Sequence, residues 1–162
     1  MPDFTIRRAT ADDADAFVEN MWAVGAEGRW IGTEVPFDKE ERAERFRAFV
    51  ADLRTANLVA EVDGVVVGHL GLHPTPYGTL ELGMTIVDGH RERGMGTALM
   101  EAGLEWARTT DAHKIELQVW PDNARAIALY EKFGFQREGY LTHHYRRRDG
   151  SLRDAIIMGL LL

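Results

Sequence analysis

The clearest chemistry in this sequence lies between Leu80 and Leu99. An alternating strand pattern runs into Asp88-Gly-His-Arg-Glu-Arg-Gly-Met-Gly96, and Thr97 leads directly into helical spacing. Glycine at 94 and 96 removes the Cβ atoms that would hold an anion off the backbone. The first N–H groups of the helix lack intrahelical acceptors, and with the positive end of its dipole they form an anion cradle. Arg91 and Arg93 add positive charge, and a pyrophosphate is the natural guest. A glycine turn that merely prepares a helix, with solvated arginines, gives the same local pattern. A Walker loop needs Lys-Ser/Thr after its last glycine, where this chain has Thr97-Ala98. A dinucleotide fingerprint needs a third glycine where Leu99 stands, and the acidic residue about 20 positions on, Glu116, falls inside a strand.

After the next strand comes a second block, Asn123-Ala-Arg-Ala-Ile-Ala-Leu-Tyr130-Glu-Lys-Phe-Gly-Phe135. At this point the chain resembles the GNAT N-acetyltransferase superfamily. Arg91-Glu-Arg-Gly94-Met-Gly96 matches its Arg/Gln-x-x-Gly-x-Gly/Ala signature. The second block matches its Asn-x-x-Ala-x-x-x-Tyr segment followed by Gly-Phe. With the order of elements, the resemblance spans most of residues 4–162. One departure is Asp88-Gly89-His90, where many relatives carry proline, which leaves the start of the loop more flexible. The stretch Gly25–Pro36 corresponds to the part that varies with acceptor, so it transfers no substrate identity.

The resemblance implies acetyl-CoA as co-substrate, its pyrophosphate on the amides of Arg91, Glu92, Arg93, Gly94, Met95, Gly96 and Thr97. Its pantetheine would run along the strand ending near Ile86, in a gap splayed from Lys114–Trp120. A backbone N–H around Ile86 or Val87 would stabilise the oxyanion. Asn123 would contact the pantetheine; capping its own helix is the plainer role, and one amide can do both. Tyr130 matches the tyrosine near the thioester sulfur, and a phenol of reference pKa about 10 can protonate a departing thiolate; packing in the core is its alternative. Glu81 is the candidate base for the acceptor ammonium, against a purely structural place in the sheet, and Glu34 is the reserve. The implied reaction is direct transfer to a primary amine in a ternary complex, with neither a metal nor a covalent enzyme intermediate. A small-molecule amine is favoured, because the acidic charge suits small cations. A protein N-terminus, a non-catalytic acyl-CoA-binding module and a nicotinamide or other nucleotide cofactor remain as alternatives.

Other groups are weaker candidates. His69 and His73 share a strand face but lack a third metal ligand. His143 and His144 point to opposite faces. Arg146-Arg147-Arg148 before a turn reads as solvated. Trp30 and Phe37 flank the variable stretch and suit either an acceptor pocket or core packing.

The elements that must place these groups follow from periodicity. Phe4–Arg8 reads as a strand, and Thr10 with Asp13 forms a capping box opening a helix with Ala14, Phe17, Val18 and Met21 on one face. Asp38–Thr55 is predicted helical, with Phe46, Phe49, Val50 and Leu53 inward. Leu58–Val62 and Val65–Leu72 form a hairpin at Asp63-Gly64. Leu80–Val87 is a strand, Gly94–Arg108 a helix and Lys114–Trp120 a strand. A helix from Asp122 or Asn123 to Gly134 follows, then strands Arg137–Arg147 and Arg153–Leu162 around Asp149-Gly150. The expected fold is a single α/β (α+β) domain over residues 1–162, GNAT-like, its mixed sheet of about seven strands flanked by about four helices.

Composition agrees. The 162 residues include 45% hydrophobic and 28% charged side chains, an ordinary globular balance. Zero cysteines exclude a disulfide framework and a cysteine nucleophile. The net charge of −7 argues against non-specific nucleic-acid binding. No run approaches the roughly 20 apolar residues a bilayer demands, so a cytoplasmic protein is expected. A homodimer through the C-terminal strands is compatible with the sequence but not fixed by it.

Overall fold

A computed structural model describes residues 3–162. Along the chain run β1 (Thr5–Arg8), α1 (Ala14–Ala26), α2 (Lys39–Ala51), β2 (Ala56–Val62), β3 (Val65–Pro74) and β4 (Thr79–Ile86). There follow α3 (Met95–Ala107), β5 (Lys114–Val119), α4 (Ala124–Lys132), β6 (Gln136–Arg146) and β7 (Leu152–Leu161). The strands form one mixed sheet in the order β1-β2-β3-β4-β5-β7-β6, antiparallel except where β4 meets β5.

Alternation along β3 decides what each face carries. Leu70 and Leu72 point to α3, where Gly103 lets the helix approach so closely that a Cβ would meet Leu70 Cδ2 at 3.0 Å. This face holds the larger core, including Leu58, Leu82, Leu99, Met100, Ile115, Ile127 and Met158. The opposite face receives α1 and α2 through Phe17 and Phe46, stacked at 4.3 Å and both edge-on to His69. The start of α1 and the sheet edge are tied by Arg7, which donates to Asp13 at 2.8 and 2.9 Å and to Glu61 at 2.8 Å. Asp13 also accepts the Thr10 N–H at 2.8 Å, closing the expected capping box around a short 3-10 turn ahead of α1.

The expected α2 runs too far. It ends at Ala51, because Asp52 turns extended and its carboxylate takes the N–H and guanidinium of Arg54. Leu53, expected inward, is therefore 88% exposed. Asn123 rather than Asp122 caps α4, accepting the Ala126 N–H at 3.3 Å. The helix spans among the described residues include none long and apolar enough to cross a membrane.

Candidate active site

β4 and β5 pair only from Thr79 to Glu81, against Lys114 to Glu116. Beyond Glu81 the two strands part, and a cavity of about 790 Å³ opens between them. Its size suits a small-molecule site. Leu82–Ile86 line one side, Gln118, Val119 and Trp120 the other, and Gly94, Gly96 and Thr97 close one end.

That end is an uncapped helix N-terminus. Ala98 N–H is the first amide of α3 with an intrahelical partner, on Gly94 O at 3.0 Å. Those of Met95, Gly96 and Thr97 precede it, with no side-chain cap and no acidic residue in the first turn. The two glycines differ in what they do. Gly94 holds φ +85° with open space where its Cβ would be, so it serves both the turn and the cradle. Gly96, expected to admit an anion, instead admits α4: a Cβ there would stand 3.0 Å from Leu129 Cδ2. An anion fits this cradle, so the residues present suit a CoA pyrophosphate.

The loop arginines are not free cations. Arg91 donates Nε to Ile86 O at 2.8 Å and both terminal nitrogens to Glu27, at 2.6 and 2.9 Å. The guanidinium in turn holds the Glu27 carboxyl below its usual range. Arg93 reaches His90 at 3.3 Å and Asp3 at 3.5 Å and lies outside the cavity lining. Glu92 lines the cavity and pairs with Arg125 at 3.4 Å. The Met95 side chain is buried in the core, leaving only its amide for a ligand.

Backbone alternation separates Ile86 from Val87. The Val87 N–H is donated to Val67 O at 3.0 Å. In an antiparallel ladder the next bonded pairs are Thr85–His69, Gly83–Gly71 and Glu81–His73. Ile86 and Met84 therefore turn their amides to the gap, while the Leu82 amide on the same edge still faces Glu116 of β5. Of the two residues expected to present an oxyanion donor, only Ile86 has a free N–H.

Tyr130 lies on α4 beside Phe135, ring centroids 5.7 Å apart, and borders the cavity. Among the described residues its hydroxyl has no hydrogen-bond partner, and burial pushes its pKa up to about 12. Asn123 also borders the cavity; its Oδ1 caps α4, which leaves Nδ2 for a ligand. On the α1/α2 face, Glu81 is exposed into the cavity opposite His73; Gly83 leaves open space beside it, whereas the rings of His73 and His69 close over the facing Gly71. His69 is no ligand: buried, it donates Nε2–H to Asn57 Oδ1 at 3.1 Å, and burial lowers its pKa to about 3.

Glu34 sits elsewhere. Its carboxylate accepts the Arg148 N–H at 3.2 Å and lies 3.6 Å from Arg147 Nε, outside the cavity lining. Arg147, expected to be solvated, is 8% exposed and donates to Gly32 O at 2.9 Å. Arg148 and Arg153 bind the carbonyls of Pro36 and Gly28 at 2.7 and 2.6 Å. The hairpin of β6 and β7 thus straps down the variable loop. Of the two flanking aromatics, Trp30 joins the cavity wall, whereas Phe37 packs against Trp22 at 5.2 Å. Sequence reasoning missed Glu27, Arg45, Gln118, Trp120 and Tyr145, because their neighbours at the site are distant in the chain.

Comparison with known proteins agrees with this geometry. Residues 21–135 match the acetyltransferase (GNAT) family. An L-amino acid N-acetyltransferase of Escherichia coli K12 is 38% identical over 109 residues, 62% of this chain and 65% of that protein. An N-alpha-acetyltransferase of Sulfurisphaera tokodaii is 31% identical over 127 residues, 70% of this chain and 73% of that one. The crystal structure of a ribosomal-protein-alanine N-acetyltransferase from Brucella melitensis superposes with TM-score 0.87 at 28% identity, over 98% of this chain and 99% of that one. A putative acetyltransferase from Salmonella typhimurium, solved with acetyl-CoA, shares the fold at TM-score 0.87 and 24% identity, over 99% and 94% of the two chains. By matched family, seven-stranded fold and splayed cleft, the chain belongs to the acetyltransferase (GNAT) family, acyltransferases that draw on acetyl-CoA.

Proposed function

We propose that this chain moves the acetyl group of acetyl-CoA to a primary amine by direct attack in a ternary complex, with a small-molecule acceptor favoured. One observation carries the reading: an uncapped helix N-terminus, a phenol with no hydrogen-bond partner among the described residues and an exposed carboxylate surround the one cavity that opens beyond Glu81. Bound acetyl-CoA supplies a thioester carbonyl as electrophile and a thiolate as leaving group. The Met95, Gly96 and Thr97 amides hold the pyrophosphate at the helix's positive end. Asn123 Nδ2 and the free edge of β4 position the pantetheine. The Ile86 N–H faces the site of developing oxyanion charge. Tyr130 donates its hydroxyl proton toward the sulfur, and Glu81 accepts the ammonium proton directly or through water. Glu34 is committed to Arg147 and Arg148, which leaves Glu81 as the base.

The small acceptor is supported from the α2 side. Arg45 borders the same cavity as Glu81 and has no carboxylate partner among the described residues. An amino acid would place its amine near Glu81 and its carboxylate toward Arg45, in keeping with the E. coli relative. A polypeptide N-terminus is the second reading, favoured by the S. tokodaii relative. Calorimetric titration of acetyl-CoA, with Gly94→Asp as control, followed by thiol release with amino acids and with peptides, tests the proposal. Binding lost in the control and thiol released with amino acids support it. Release with peptides alone moves the acceptor to a protein terminus, and no binding by the native chain overturns the reading.

A further inference from the structure

Glu27 is the hub of a contact chain that links the two halves of the cleft. It follows the last turn of α1, and its carboxylate receives both terminal nitrogens of Arg91, at 2.9 and 2.6 Å. The same Oε2 that takes Arg91 Nη1 also takes the indole N–H of Trp30, at 2.7 Å. Arg91 lies over the Trp30 ring at 5.8 Å and is anchored to the end of β4 through Ile86 O at 2.8 Å. Arg91 borders the anion cradle and Trp30 borders the cavity. One carboxylate therefore ties the pyrophosphate loop to the loop expected to vary with acceptor. The other end of that loop is fixed separately, by Arg147 on Gly32 and Arg148 on Pro36.

Building on the acetyltransferase reading above, we propose that Glu27 is a positioning residue for the acceptor: through Arg91 it couples occupation of the cradle to the placement of Trp30. The guanidinium carries five N–H groups, and Ile86 and Glu27 take three of them. The remaining two can turn to a bound pyrophosphate while the Glu27 bonds persist. A pyrophosphate engaging Arg91 then fixes the Glu27 carboxylate and, with it, the Trp30 indole. Any such coupling is reciprocal in binding free energy.

The sign of the effect separates this role from simple loop support. Glu27→Gln keeps the shape but removes the nearer of the two carboxylates that offset Arg91, leaving Asp88 Oδ1 at 3.6 Å. Acetyl-CoA affinity should hold or tighten, because the freed guanidinium faces the pyrophosphate. Acceptor KM should rise by roughly tenfold, at the lower end of ordinary coupling between sites, while kcat at saturating amine changes by less than about twofold. The part of the tryptophan-emission response to CoA that belongs to Trp30, read as native minus Trp30→Phe because Trp120 also lines the cavity, should be lost in Glu27→Gln. Weakening of acetyl-CoA and amine binding by similar factors would make Glu27 a structural strut and overturn the proposal. An unchanged acceptor KM with an intact emission response would overturn it as well. Failure of the native chain to bind acetyl-CoA would instead sink the acetyltransferase reading on which it stands.

Discussion

Tyr130→Phe removes one oxygen, and the structure makes its consequences unusually separable. The hydroxyl borders the cleft without a hydrogen-bond partner among the described residues, in a residue only 7% exposed. Replacing it loses no internal hydrogen bond, and the ring keeps its contact with Phe135. Thermal stability should therefore stay within about 2 °C of the native value, since a melting shift that size already corresponds to much of a kcal/mol in a chain this long.

Catalysis is where the loss should appear. Burial lifts the phenol to about 12, whereas an alkyl thiol such as cysteine's has a reference pKa of about 8.5. Complete proton transfer to a thiolate of that basicity would run uphill by about 5 kcal/mol at 1.36 kcal/mol per unit. The useful act is thus hydrogen-bond donation to the sulfur as charge develops, with transfer completing as the equally buried thiolate becomes more basic. A hydrogen bond to a charged group contributes about 1.5–3 kcal/mol, so kcat should fall by roughly ten- to 150-fold. Thiol release at saturating acetyl-CoA and amine measures kcat, and calorimetry should show acetyl-CoA affinity unchanged. Because the phenol titrates near 12, any limb of the pH–rate profile between pH 6 and 10 belongs to another group and should keep its midpoint in the variant. A kcat within about twofold of native would return Tyr130 to the core and refute the reasoning.

Three further outcomes follow from the same geometry. Glu81→Gln should lower kcat/KM and move the alkaline-rising limb of the pH–rate profile; an identical profile clears Glu81 as the base. Gly96→Ala must push Leu129 by a few tenths of an ångström, at a cost of about 1–3 kcal/mol against about 0.5–1 kcal/mol gained by replacing a helical glycine, so Tm should fall by about 2–4 °C; a raised Tm would show that α4 yields freely. His69 has a folded pKa near 3 against an unfolded value near 6.5. Below pH 6.5 the unfolded chain binds a proton that the folded one refuses, so stability falls with pH by up to about 1.4 kcal/mol per unit between 6.5 and 3. His69→Gln should flatten that acid slope in denaturant titrations, and an unchanged slope would locate the acid sensitivity elsewhere.

Most of the fold is legible because it is written in local periods. Leu70 and Leu72 alternate with His69 and Gly71, so β3 announces two faces before any partner is known. The Asp63-Gly64 turn takes positive φ at both residues, as a two-residue hairpin requires. The misreading at Leu53 shows where periodicity stops. Its helical spacing is sound, but Asp52 offers its carboxylate to Arg54 and ends the helix, a local competition that a hydrophobic pattern does not weigh. Arg147 fails for the opposite reason: nothing near it in sequence forecasts that the carbonyl of Gly32, 115 residues away, will bury it.

The same contrast explains why the helix N-terminus at one end of the cleft is legible in the sequence and the opposite wall, proposed for the acceptor, is not. An anion cradle is made of consecutive backbone amides, so glycine spacing at the start of one helix is enough to reveal it. The wall proposed for the acceptor is assembled from side chains on α1, α2, β3, β4 and β5 and from the loop after α1, and its pairings connect residues such as Glu27 and Arg91 across 64 positions. Net charge says as little about this wall. The chain totals −7, whereas the cavity is bordered on the proposed acceptor side by both Arg45 and Glu81. On the proposed reading an acceptor meets the field of nearby groups such as these two, because exposed charges more than about 10 Å away are largely screened at 0.1 M salt, and a zwitterion would match a cation and a carboxylate better than a polyamine would.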